Sequence, residues 1–263
     1  VINCDSKQIY KEIPIITAQP PKQHKLYGYV SARENYSVGL WLDDLKKEVD
    51  NALQNLQIPI ITGGSGLYIN SLIKGLSSIP PISEKVRKDV NELNKNLSRE
   101  EFYKLVFSHD PKIQDIISIN DSHRLSRALE VVIETGQSIF TWHKNREPSI
   151  LKDFKIYTIL PSREYVYQKI NLRFLEMIEN GVIDEVKKLR DMNLNPNLPA
   201  MKAHGVPEII KYLKNELTLA EAIQIAQTNT RHYAKRQYTW FRNQFPNAEV
   251  IERVEQFFNA VLL

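Results

Sequence analysis

The chain has 263 residues, 42% of them hydrophobic and 25% charged, and its 35 Lys and Arg against 31 Asp and Glu leave a formal net charge of +4. At ~150 residues per domain this allows one large or two unequal domains with a real core, and it excludes disordered, collagen-like and coiled-coil classes. No apolar run approaches the roughly 18 residues of a membrane span, one cysteine has no intrachain partner, and no signal-peptide pattern opens the chain, so a reducing cytoplasm is the expected compartment.

The chain opens in mid-strand, on Val1-Ile2-Asn3-Cys4, and the expectation is that a preceding segment has been lost. Asp5 follows directly. In open parallel α/β sheets the carboxyl ends of strands form the ligand crevice, which suits Asp5 to the role of general base or metal ligand. The plainer alternative is an Asx or Ser turn in which Asp5 or Ser6 caps the next segment.

Val38 to Leu56 carries Leu42, Leu45, Val49, Ala52, Leu53 and Leu56 at three- and four-residue spacing, which predicts a helix. Ile58 to Thr62 then reads as a second strand, so strand, helix and strand suggest a parallel crossover. Gly63-Gly64-Ser65-Gly66 follows that strand and opens a helical run. Backbone N–H groups of such a turn can approach an anion and Ser65 can offer a hydroxyl, although an ordinary strand-to-helix turn with a Ser cap has the same appearance.

From Ser83 to Glu134 the pattern becomes charged amphipathic helix, with Leu93, Phe102, Leu105 and Val106 on apolar faces. This reads as a helical insertion, after which Phe154 to Leu160 resumes the sheet. His123-Arg124-Leu125-Ser126-Arg127 is a basic cluster with Arg124 and Arg127 on one side, and Glu130 is near enough to neutralise either. Arg163 to Asn195 reads as a long helix interrupted at Gly181, and Leu217 to Phe241 as another.

Within Ala222 to Ala248 no acidic residue occurs, whereas Arg231, Lys235, Arg236 and Arg242 do. On a helix Arg231, Lys235 and Arg242 share a face, interleaved with Tyr233, Tyr238, Trp240 and Phe241. Such a stripe can follow a phosphate backbone while aromatics stack on bases, and it can equally be a solvated cationic face over an aromatic core. The histidines at 24, 109, 123, 143, 204 and 232 show no metal-ligand spacing, and no G-x-S-x-G, G-x-G-x-x-G or G-x-x-x-x-G-K-[ST] motif is present.

Taken together, Asp5-Ser6-Lys7-Gln8-Ile9-Tyr10, Thr17-Ala18-Gln19-Pro20, Gly63-Gly64-Ser65-Gly66-Leu67-Tyr68, Arg124 to Val131 and Lys235 to Arg242 resemble the motifs of the tRNA dimethylallyltransferase (IPP transferase) family in order and spacing. The resemblance implies an α/β, P-loop NTPase-like parallel sheet core whose first strand and phosphate loop would be missing here, with a helical insertion and a helical C-terminal part. The expected divisions are core 1–81, insertion 82–122 and core 123–263. It implies transfer of a dimethylallyl group from dimethylallyl diphosphate to N6 of the adenosine 3′-adjacent to the tRNA anticodon, with Mg2+ on the diphosphate, in a cytoplasmic, monomeric, nucleotide-binding protein.

Carried over residue by residue, the resemblance makes Asp5 the base, and Ser65 and Arg173 the diphosphate-binding catalytic partners. For tRNA it implies Asp5, Ser6, Lys7, Gln8, Ser65 and Arg87, then His123, Arg124, Leu125, Ser126 and Arg127. Further tRNA positions are Met201, Lys202, Ala203, His204, Gly205 and Val206, with Lys235, Arg236, Gln237, Tyr238, Thr239, Trp240, Phe241 and Arg242. Departures from the family pattern are Ser65 in place of Thr, Gln19 in place of Lys, and Val206 in place of Tyr. Two other readings stay open: a tRNA-binding remnant or half of a split enzyme, and an adenylate isopentenyltransferase acting on the free nucleotide.

Overall fold

A computed structural model describes residues 1–21, 24–151, 153–253 and 255–256 of the chain. Its elements in order begin with β1 (Ile2–Asn3), α1 (Val38–Gln54), β2 (Ile61–Thr62) and α2 (Gly66–Lys74). There follow α3 (Glu84–Asn96), α4 (Arg99–His109), α5 (Ser122–Thr135), α6 (Ile139–Lys144) and β3 (Tyr157–Ile159). The chain then runs through α7 (Arg163–Glu179), α8 (Val182–Asp191), α9 (Val206–Leu213), α10 (Leu219–Gln244) and β4 (Glu249–Ile251). It divides into two compact units, one formed by Val1–Leu72 with Leu151–Leu263, the other by Ile73–Ile150.

In the first unit β1 and β2 pair in parallel, Ile2 against Ile61 and Asn3 against Thr62, joined by the α1 crossover. Ser37 starts α1 by accepting the Leu40 N–H with its hydroxyl at 3.3 Å. Trp41, Leu45 and Val49 form the buried stripe of α1, and Trp41 Nε1 donates to the Asn3 carbonyl at 3.1 Å, which fastens the helix to the strand. Leu53 and Leu56, expected on this apolar face, are exposed instead. The helix has ended by Gln54, and Leu56 turns the chain with φ +57°.

The strand expected at Phe154 to Leu160 does not join β1 and β2; it forms a separate parallel ladder with β4. Its hydrogen-bonding capacity is taken up there, with Leu160 N–H reaching the Ile251 carbonyl at 2.9 Å and Glu249 N–H reaching that of Ile156 at 3.3 Å. The long helix expected from Arg163 breaks into α7 and α8 at Gly181, whose φ of +89° is the left-handed conformation that glycine adopts at no steric cost.

The core of this unit gathers Phe174 and Met177 of α7, Val182, Val186 and Leu189 of α8, Val206 and Ile209 of α9, and Ala226 of α10. These pack on Ile9, Tyr10, Ile13 and Ile16 of the irregular segment after β1. Because that segment forms no strand, its backbone is satisfied piecemeal, by the 28–30 segment, by its own turns and by side chains. Glu185 of α8 accepts the N–H groups of Ile15 at 2.7 Å and Ile16 at 2.8 Å, and Gln8 donates to the carbonyls of Thr17 and Ala18.

The second unit is built of helices, with one antiparallel bridge between Ser77 and Arg146. Ser83, Ser98, Asp121 and Ser138 cap α3 to α6, Ser98 in a reciprocal capping box with Glu101. Val90, Phe102, Val106, Ile113, Leu125, Ala128, Leu129, Val131 and Ile139 fill its interior. The unit is wider than the 82–122 insertion expected, running over Ile73–Ile150. The reason is that α5 buries Leu125, Ala128, Leu129 and Val131 in the same core as α3 and α4.

Candidate functional site

Asp5 leaves the carboxyl end of β1 in the Asx turn that the plainer of the two alternatives expected. Its Oδ1 accepts the Lys7 N–H at 2.7 Å, an Asx turn, while its own N–H donates to Asn3 Oδ1 at 2.9 Å. Asn3 is fully buried and its amide returns to the carbonyls of Asp5 and Leu26, so strand and turn lock each other. Among the described residues no hydrogen bond reaches Asp5 Oδ2. One carboxylate oxygen therefore fixes the turn, and the other has no hydrogen-bond partner among the described residues.

Cationic and aromatic groups surround this carboxylate. Lys7, its Nζ donating to the Pro199 carbonyl at 2.7 Å, is pulled below the usual lysine range by burial and by Lys202, against the pull of Asp5. Arg173, at an exposed position of α7, is likewise lowered by desolvation and supported by Asp5 and Glu176. His204 is lowered by desolvation, with Glu208 and Asp5 favouring its cation and Arg236 and Lys7 opposing it. Burial raises Tyr27, Tyr68 and Tyr233, and the Asp5 charge adds to each. Six groups from separate parts of the chain thus lie within the electrostatic reach of Asp5.

The glycine motif is a packing device before it is anything else. A Cβ on Gly63 would fall 2.2 Å from the Cys4 carbonyl oxygen, one on Gly64 2.1 Å from Gln237 Nε2, and one on Gly66 2.9 Å from the Trp240 ring. Ser65 is buried, accepts the Ser6 N–H at 2.9 Å and donates to Ser6 Oγ at 3.2 Å. It also acts on the Tyr233 hydroxyl, holding its pKa down against burial. Its hydroxyl therefore stands beside Asp5 but is already partnered. Against this turn lies a groove of about 220 Å³ lined by Gly64, Gly66, Leu67, Tyr233, Arg236, Gln237 and Trp240.

The expected tRNA-contacting residues divide by burial. In the 201–206 segment Ala203 and Val206 are core residues, and Gly205, with φ +96°, is packed against Ile16 and Phe174; none of the three offers a side chain to a ligand. Met201 packs against the same core, which leaves Lys202 and His204 as the exposed pair, His204 tilted over the Tyr233 ring at 5.1 Å. Along α10, Lys235, Arg236, Thr239 and Arg242 are exposed. Gln237 donates to the Gly64 carbonyl, Tyr238 to those of Leu160 and Pro161, and Phe241 packs on Trp240 and Phe245. Arg231, expected on the cationic face, is turned to Asn171 Oδ1 at 2.6 Å. Ser6 is engaged by Ser65, the Gln8 amide donates to the Thr17 and Ala18 carbonyls, and Gln19 donates to the Tyr10 carbonyl at 2.8 Å.

Arg87, His123, Arg124, Leu125, Ser126 and Arg127 belong to the second unit. Leu125 and Ser126 are buried there, Ser126 bonded to Asn94, and present no side chain for contact. Arg124 pairs with Asp121 at 3.4 Å and Arg127 with Glu130 at 3.2 Å, so neither arginine is uncompensated. Arg87 and His123 are exposed.

Sequence reading missed Asn3, Tyr27 and Tyr68 as parts of the site. Asn3 had a signal, as a polar residue between Ile2 and Cys4 in a strand buried on both faces. Tyr68 closes the quoted glycine motif, whereas for Tyr27 no local pattern distinguishes a site wall from a core aromatic. No group of three or more His, Cys, Asp or Glu that could hold a metal occurs among the described residues, and no described helix is long and apolar enough to cross a membrane.

A carboxylate pinned at the end of a parallel strand, with cations and aromatic rings from α2, α7 and α10 within its electrostatic reach, is the arrangement of an α/β enzyme. A family model described as IPP transferase matches residues 8–244, and the chain belongs to the IPP transferase family. It is 76% identical over 255 residues to the tRNA dimethylallyltransferase of Wolbachia pipientis wMel, covering 96% of this chain and 86% of that one. It also resembles the crystal structure of the full-length tRNA isopentenylpyrophosphate transferase of Bacillus halodurans, at 28% identity and a TM-score of 0.67, over 99% of this chain and 84% of the other. A eukaryotic dimethylallyltransferase solved acting on tRNA shares the fold with a TM-score of 0.80 at 23% identity, over 99% of this chain and 69% of that one. The fold is thus the α/β, P-loop-like one of this family.

Proposed function

We propose that the chain transfers a dimethylallyl group from dimethylallyl diphosphate to N6 of the adenosine next to the anticodon, on its 3′ side, in tRNA. The observation that carries this reading is the divided carboxylate of Asp5: Oδ1 is held by the turn, Oδ2 has no hydrogen-bond partner among the described residues, and the Lys7 and Arg173 cations lie within its electrostatic reach. The 76% identity to a tRNA dimethylallyltransferase supports it. The compartment in this reading is the cytoplasm, in keeping with a sole cysteine, Cys4, that is buried.

The adenine N6 is a weak nucleophile and needs both a base and enforced proximity. As N6 attacks the allylic carbon, the new N–C bond forms while the C–O bond to the diphosphate breaks and its electron pair leaves with the phosphate oxygen. Asp5 Oδ2 takes the N6 proton. Arg173 meets the charge that accumulates on the departing diphosphate, where fixed donors give their largest benefit, and Ser65 holds the turn from which Asp5 acts. Lys202, His204, Lys235, Arg236, Thr239, Trp240 and Arg242 form the tRNA-facing set of the first unit. Arg87, His123, Arg124 and Arg127 are assigned to tRNA separately, as the accessible members of the second.

The magnesium expected with the diphosphate finds no protein-built cage. No described group of three ligating side chains exists, and one oxygen of Asp5 is engaged by backbone. Mg2+ commonly relies on one or two carboxylates plus substrate phosphates. A magnesium ion would then be held chiefly by the diphosphate oxygens and would neutralise their charge.

The decisive assay compares turnover of tRNA and of AMP with dimethylallyl diphosphate, for the natural chain and for Asp5→Asn. Transfer to tRNA, reduced ~100-fold or more by Asp5→Asn with tRNA affinity retained, is the expected result. Transfer to AMP alone would replace this reading by the nucleotide-level one, and an active Asp5→Asn variant would remove Asp5 as the base.

A further inference from the structure

Tyr238 is held at its edge and gripped over its ring. Its hydroxyl donates to the carbonyls of Leu160 at 2.9 Å and Pro161 at 2.6 Å, which ties the middle of α10 to the connection between β3 and α7. Over the ring lie two guanidinium groups: Arg242, one turn further along α10, with Cζ 5.0 Å from the centroid, and Arg163, the first residue of α7, at 5.5 Å. Both arginines are exposed, and neither has a carboxylate within ion-pair distance among the described residues.

Two like charges collected on one ring repel each other, and the ring quadrupole offsets only part of that cost at an exposed site. The contrast with the second unit is direct, since Arg124 and Arg127 each have an acidic partner. A cation–π contact also uses the face of the guanidinium and leaves its N–H fork free, the geometry suited to a phosphate. Because Tyr238 is anchored by its hydroxyl, both forks are oriented before any ligand arrives.

We propose that Arg163 and Arg242, oriented by Tyr238, grip the phosphate backbone of tRNA and extend its binding face from α10 onto the start of α7. Arg163 lies outside every motif that marked the family, so this adds a recognition residue. The proposal rests on tRNA being the substrate.

The test is tRNA binding by the full chain over about 50 to 200 mM salt, with Arg163→Ala, Arg163→Lys and, as a reference within the expected face, Arg236→Ala. Arg163→Ala should weaken binding by about three- to tenfold and flatten the salt slope by about one ion. Arg163→Lys keeps the charge and should keep the slope while losing part of the affinity, because an ammonium cannot stack and fork at once. Natural affinity and slope in Arg163→Ala, beside a weakened Arg236→Ala, would overturn the grip and leave the tRNA reading standing. Weaker binding of Arg163→Ala at an unchanged slope, with a lower melting temperature, would mark a structural role and also overturn it. If the natural chain itself binds tRNA without salt dependence, the underlying reading fails first.

Discussion

The side-chain amide of Gln237 donates to the carbonyl of Gly64 at 2.8 Å, across 173 residues of sequence. Through this bond α10 closes over the glycine turn, with Trp240 one turn further on lying against Gly66. The turn is thereby clamped between the backbone after β1 and the helix that carries the exposed cations. Position rather than backbone freedom explains Gly63, Gly64 and Gly66, since none of them has a positive φ.

The three glycines should therefore differ in tolerance according to what a methyl group would meet. At Gly63 it strikes the Cys4 main chain, which cannot move without breaking the β1–β2 pairing, so Gly63→Ala should cost about 3 kcal/mol or more. At Gly64 it strikes the tip of the Gln237 side chain, which can swing away for the loss of one hydrogen bond, about 1 kcal/mol. Denaturant melts of the two variants would show this order, and equal costs would mean that the close approach to Cys4 is relieved elsewhere.

Ser65 tests whether its hydroxyl serves the fold. Ser65→Ala removes the acceptor of the Ser6 N–H and should cost roughly 1–3 kcal/mol, with turnover falling because Asp5 precedes Ser6. Ser65→Thr keeps the oxygen and should retain both stability and turnover. A Ser65→Ala protein as stable as the natural one would show that the Ser6 contact contributes nothing.

How much of this was legible in sequence follows from the reach of each signal. Trp41, Leu45 and Val49 on α1, the Gly181 break and the Asp5 turn are encoded within a few neighbours, and periodicity or turn chemistry finds them. The separation of β3 from β1 and β2 depends on β4, three residues whose partner lies about ninety positions earlier, and no local pattern states that pairing. At the site, resemblance supplied Asp5 and Arg173, but a motif names Ala203, Val206, Leu125 and Ser126 alongside its exposed members without saying which face the core. Burial is a property of the whole packing, and several members of each motif are buried in the core rather than exposed.

Glu185 makes a stability prediction with an unusual pH sign. Its two oxygens each accept a backbone N–H, from Ile15 and Ile16, and burial raises its pKa above the ordinary 4.5 despite those bonds and Lys188. A carboxyl whose folded pKa is raised stabilises the protein below the unfolded value, and this contribution is lost as pH rises through the folded one. Glu185→Gln cannot accept both N–H groups and should cost roughly 1–3 kcal/mol. It should also remove that decline, seen as a flatter melting temperature above pH 4.5 than in the natural chain.

His204 carries the opposite sign. Desolvation, Arg236 and Lys7 together hold its pKa below the ordinary 6.5 against the attraction of Glu208 and Asp5, so the ring is neutral at neutral pH. The unfolded chain binds this proton more readily than the folded one, and stability therefore falls as pH drops below 6.5 toward the lower folded value. His143, in the second unit, is lowered by desolvation and by Arg146 and Arg127, and adds a loss of the same sign. The two are separable by substitution. His204→Asn should flatten the acid limb of the melting profile in part, and His143→Asn should take a further part independently. His204→Asn should also make tRNA binding less dependent on pH across the same window, since only His204 stands among Lys7, Lys202 and Arg236 beside Asp5. An acid limb unchanged in His204→Asn would show that the ring titrates alike in the folded and unfolded chains, and a tRNA affinity with the natural pH dependence would remove His204 from the tRNA-facing set.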